Sequence, residues 1–112
     1  MTAIKLRFGS PEHGWLSVEL SGPGGEVTLE ASDVPGDSLA MLADAACDVM
    51  NGYPARVVTW FLEPAEHTWR FHLARDLIEV WVQTDRGAAT CIGKESPLDL
   101  CWAIWRALRR LS

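Results

Sequence analysis

Residues able to do chemistry are present in this chain but stand far apart. The three histidines are His13, His67 and His72, and the three cysteines are Cys47, Cys91 and Cys101. His67 has Glu63 and Glu66 close by in sequence, the combination most suggestive of a catalytic or metal cluster. The spacing matches no ligand motif, and a hairpin tip between strands offers no dry pocket, so His13, His67 and His72 are read as solvated residues. The cysteines are odd in number and form no C-x-x-C pair, which points to free, buried thiols in a reducing compartment. No G-x-S-x-G, H-E-x-x-H or phosphate loop occurs. Gly22-Pro23-Gly24-Gly25 is glycine-rich, but it lies between two expected strands and lacks the helix N-terminus that would hold a phosphate. The expectation is therefore no catalytic residue, no metal and no cofactor.

The elements that would position any site read clearly. Three apolar runs between Val57 and Val82 are separated by short polar breaks, the signature of an antiparallel meander. Trp69, Phe71 and Leu73 alternate with Thr68, Arg70 and His72. Ile78, Val80 and Val82 alternate with Glu79, Trp81 and Gln83. Val57–Leu62 is apolar in both phases, and Glu63-Pro64 begins a turn. Upstream, Ile4, Leu6 and Phe8 give a first strand. Leu16, Val18, Leu20 and Val27, Leu29, Ala31 give a hairpin. Asp37, with Asp33 as the alternative, caps a helix of about three turns through Leu39, Leu42, Ala43, Ala46, Val49 and Met50, ended by Asn51-Gly52. Asp37, Asp44 and Asp48 form an acidic edge on it. Ser96-Pro97-Leu98-Asp99 starts a second helix, whose apolar stripe is Leu98, Cys101, Ile104, Trp105, Leu108 and Leu111. Arg106, Arg109 and Arg110 occupy its last turns. Ala88–Ile92 is ambiguous, a short strand closely flanked by Gly87 and Gly93.

These elements predict a single α+β domain over residues 1–112. The order is β-β-β-α-β-β-β-α, with a mostly antiparallel six-stranded sheet and two helices on one face. Hydrophobic residues make up 48% and charged residues 22%, ordinary for a globular protein. The net charge of -5 argues against nonspecific nucleic-acid binding. No apolar run is long enough to span a membrane, and the N-terminal residues lack a signal-peptide core, so a cytoplasmic location is expected.

Tryptophan is the compositional anomaly, at six of 112 residues. Trp69 and Trp105 fall in core phases. Trp15 and Trp81 fall in the phase opposite the aliphatic residues, on the sheet face that two helices leave open. Beside them stand Arg70 and His72. Exposed aromatics mixed with arginine suit a protein-binding surface. The expected site is therefore Trp15, Trp81, Arg70 and His72, binding a protein partner or a second copy in a homodimer, with the acidic edge of Asp37, Asp44 and Asp48 as the alternative contact surface. The alternative is a small-molecule binder or minor enzyme with a pocket between sheet and helices, lined by Trp60, Trp102 and His72.

The segments His13-Gly14-Trp15-Leu16, Ala31-Ser32-Asp33 and Glu63-Pro64 ahead of Trp69-Arg70-Phe71 resemble small bacterial α+β proteins, some of them similar to the immunity proteins of polymorphic toxin systems. The resemblance spans residues 13 to 82. It implies a cytoplasmic, non-enzymatic interaction protein and carries over no catalytic residue.

Overall fold

The computed structural model describes residues 3–32, 37–62 and 65–111. The Glu63-Pro64 turn and the Asp33 alternative cap lie outside these. Seven strands form one antiparallel sheet in chain order: β1 (Lys5–Phe8), β2 (Trp15–Gly22), β3 (Gly25–Ser32), β4 (Ala55–Phe61), β5 (Glu66–Ala74), β6 (Leu77–Thr84) and β7 (Thr90–Glu95). Helix α1 (Ser38–Met50) enters between β3 and β4, and α2 (Pro97–Leu111) follows β7. The α+β class, and a run of antiparallel strands ahead of each of two helices, are as the sequence predicts, but the second run holds four strands rather than three. The six-stranded expectation is corrected to seven, because Thr90–Glu95 pairs with β6 as an edge strand.

Gly93 obscured that strand, and the fold explains its presence. A Cβ on Gly93 would approach the Ile4 side chain to 2.7 Å. The β2–β3 turn also lies against β7, with the Gly24 amide donating to the Ile92 carbonyl at 2.8 Å. A strand interior approached this closely needs a residue without a side chain. The sheet thus curls until its far edge meets the tip of an early hairpin. Among the described residues β3 and β4 pair at Ser32 and Phe61.

Period-two alternation assigns the core. Ile4, Leu6, Val18, Leu20, Leu29, Ala31, Val58, Trp60, Trp69, Phe71, Ile78, Val80 and Ile92 turn into one cluster with the buried sides of both helices. Trp60 and Trp69 sit at its centre with ring centroids 4.8 Å apart, inclined rather than stacked.

Asp37 caps α1 by accepting from the Ala40 amide at 3.0 Å, and the Ser38 hydroxyl donates to the Thr59 carbonyl, tying the helix start to β4. Ser96 caps α2, its hydroxyl accepting from the Asp99 amide at 3.1 Å. The two helices meet where the Cys101 thiol donates to the Ala46 carbonyl at 2.9 Å.

Candidate functional site

On the sheet face turned away from the core, Arg70 and Trp81 are directly opposed across β5 and β6, as are His72 and Glu79. Glu79 organises this group. Its carboxylate accepts from the Trp81 indole N–H at 3.2 Å, lies 3.5 Å from His72 Nδ1 and 3.9 Å from Lys94 Nζ. The Trp81 bond, with His72 and Lys94 assisting, holds the Glu79 carboxyl below its usual range. This is a polar lattice whose members largely engage one another.

Trp15 does not join that group. It stands on β2 opposite Ser32, with β3, β4 and β5 between it and Trp81 in the sheet. It borders a cleft of about 520 Å³ near the start of α1, lined also by Glu12, His13, Asp37, Ser38 and Trp60. The four expected partner-binding residues therefore divide into Arg70, His72 and Trp81 on one surface and Trp15 on another.

Three expectations about side-chain placement are corrected. His67 is not a solvated residue: it is 2% exposed in β5, opposite Trp60 in β4. Carrying the Trp69-Phe71-Leu73 phase back by two residues would have placed it inside. Trp60, Trp102 and His72 do not share a pocket. Strand alternation turns Trp60 into the core and His72 outward, and Trp102 lies on the solvent side of α2. Trp105 is not core but 52% exposed.

The last correction exposes the strongest surface feature. The residues of α2 that are buried are Leu100, Cys101, Ile104 and Ala107. Cys101 and Ala107 are small, and the thiol contact to Ala46 draws α2 close to α1, leaving no room on that side for an indole. The helix is rotated from the expected stripe accordingly. Leu98 (56%), Trp102 (51%) and Trp105 (52%) are left exposed, with Met50 of α1 (48%) beside them. With Cys101 and Arg109 they line a groove of about 480 Å³. Arg106 lies over the Trp102 ring, 5.6 Å from its centroid. Arg106, Arg109 and Arg110 together line an adjoining depression, so the apolar patch carries a positive border on an acidic protein. Leu98, Trp102 and Trp105 recur at steps of four and three, a helical repeat that could have revealed a second apolar stripe beside the buried one.

The acidic edge of α1 is partly neutralised, because Arg56 donates to Asp48 at 2.6 Å while lying over the Tyr53 ring at 4.2 Å. Among the described residues no group of three or more His, Cys, Asp or Glu is placed to hold a metal ion, and no helix is long and apolar enough to cross a membrane. All three cysteines are free, but the expectation that they are buried holds for Cys101 alone, since Cys47 is exposed and Cys91 half-buried.

Comparisons of the chain with family models, curated proteins and solved structures find no match.

Proposed function

We propose that this chain is a non-catalytic protein-interaction domain whose contact surface is the outer face of α2. One observation carries the reading: two tryptophans, a leucine and a methionine, each about half exposed or more, adjoin around one groove. Contiguous exposed apolar surface of this kind marks interaction sites in folded proteins, and tryptophan and arginine are the residues that most often dominate binding energy. The free cysteines accord with a reducing, cytoplasmic setting. An immunity-like role is the version of this reading in which the partner is a toxin. Arg70, His72 and Trp81 lie on the opposite, outer face of the sheet and take no part in this contact.

The test is affinity capture after chemical crosslinking in the cells that make the protein, comparing wild type with Trp102→Ser/Trp105→Ser. The reading expects the crosslinked product, whether a foreign protein or a second copy, to be lost in the variant. Unchanged crosslinking contradicts it.

A second reading, small-molecule binding, is favoured by the cleft beside Trp15. The indole N–H of Trp60, which borders that cleft, has no acceptor among the described residues, and the volume suits a small ligand. A ligand screen by thermal shift checks this reading. It expects stabilisation by a small hydrogen-bond acceptor that Trp15→Ala removes, and no stabilising ligand contradicts it.

A further inference from the structure

Resting on the interaction reading above, we infer that the occupant of the α2 face is a second copy of this chain, docked with the two α2 helices antiparallel. The order of residues along the exposed stripe carries the argument. Leu98, Trp102, Trp105 and Arg109 all line the groove and follow one another at steps of four, three and four. That spacing is the same read from either end, about a point between the two indoles. A two-fold axis through that point lays Trp102 of one copy against Trp105 of the other, at both positions. Leu98 of each copy then meets the aliphatic stem of Arg109 in the other. Self-complementarity of this kind is what an isologous interface requires.

The charges make the same choice. Asp99, Arg106 and Arg110 stand at steps of seven and four, so they share one flank of the stripe. In the antiparallel arrangement that flank faces its own copy reversed, and Asp99 comes level with the gap between Arg106 and Arg110 of the second molecule. Two such clusters form, one at each end. A parallel two-fold pair would instead turn this flank toward the opposite flank of the second helix, where Cys101 and Leu108 stand and Asp99 finds no arginine. The helix dipoles also oppose one another favourably when the helices run antiparallel.

The area sets the strength. The half-exposed indoles with Leu98 and Met50 offer on the order of 450 Å² of apolar surface per copy, below the ~800 Å² per partner of a standard stable interface. The dimer is therefore weak and concentration-dependent, and its rim ion pairs loosen further in salt.

Sedimentation equilibrium of the full chain across a wide concentration range tests this. The wild type is expected to show a monomer–dimer equilibrium that Trp102→Ser weakens by at least about thirtyfold. Asp99→Arg weakens it, as does Arg106→Asp/Arg110→Asp, and the three changes combined restore it to within about threefold of wild type. Asp99→Arg keeps the backbone amide that Ser96 caps, and circular dichroism verifies each variant's fold. Should Trp102→Ser fail to fold, Trp105→Ser gives the same reading. A wild type that stays monomeric throughout overturns the inference. So does a dimer indifferent to the tryptophan changes, or a combined charge reversal that fails to restore association. A monomeric wild type that still crosslinks a foreign protein through α2 removes the self-docking alone and leaves the interaction reading standing. Absence of both removes both.

Discussion

The Cys101 thiol donates to the Ala46 carbonyl at 2.9 Å, across 55 residues of chain, and this contact sets how α2 lies on α1. Because α2 approaches through a small residue, its bulky tryptophans are turned to the outside. The same burial, with Cys47 nearby, pushes the Cys101 thiol up to about 11, so it stays protonated at neutral pH and serves as a donor rather than a nucleophile. Alkylation at mildly alkaline pH, read by mass spectrometry, should label the exposed Cys47 and spare Cys101 until denaturant is added. Equal labelling of both in the folded protein would show that the helices do not hold this contact.

His67 predicts an acid sensitivity. Burial lowers its pKa from the ordinary 6.5, so the unfolded chain takes up a proton more readily than the fold does. Stability is then full above about pH 6.5 and falls as pH drops beneath that value toward the folded pKa. Glu79, also lowered, acts from 4.5 downward and does not overlap the start of this window. Denaturant midpoints should fall between neutral and mildly acidic pH in the wild type and fall less in His67→Phe. Should that variant not fold, direct NMR titration of the His67 ring is expected to give a pKa under 6.5. A ring titrating at or above the ordinary value contradicts the burial.

The tryptophans divide into structural and surface sets with opposite consequences. Trp60 and Trp69 are 1% and 0% exposed, so replacing either by alanine should cost about 3–5 kcal/mol. Trp102→Ser and Trp105→Ser should each stay within about 1 kcal/mol of wild type, since half of each ring is already in water. Chemical denaturation of the four variants measures this. A large loss at Trp102 or Trp105 would make those indoles structural and remove the ground for an interaction surface.

Much of the fold was legible because it follows from alternation. Trp69, Phe71, Ile78 and Val80 announce a two-sided meander, and Ser96-Pro97 announces a helix start that the capping bond realises. Two features were not legible. The seventh strand hides behind Gly93, whose presence answers a long-range approach by Ile4 and Pro23 that no local pattern encodes. The orientation of α2 depends on which of two overlapping apolar stripes the rest of the protein takes. The sequence permits both Ile104-Trp105-Leu108 and Leu100-Ile104-Ala107. Packing chose the one with small residues, and the surface that resulted could be identified only once the helices were seen together. The open sheet face was correctly placed for Arg70, His72 and Trp81. Alternation alone could not show that Trp15 stands three strands further off, nor that Glu79 already engages Trp81 and His72.

The Ser96 cap gives a local check on α2. Ser96→Ala removes the acceptor for the Asp99 amide and should cost about 1 kcal/mol. An unchanged thermal midpoint would show that α2 does not start there.

A dilution series followed by two-dimensional amide NMR, from about 1 mM down to about 10 µM, tests the surface most directly because it reports residue by residue over the range where weak association changes. A second copy docked on the α2 face predicts concentration-dependent shifts and broadening confined to Met50 and to the segment from Leu98 through Arg110. Spectra that do not change with concentration, or changes that instead gather on Arg70, His72 and Trp81, would contradict it.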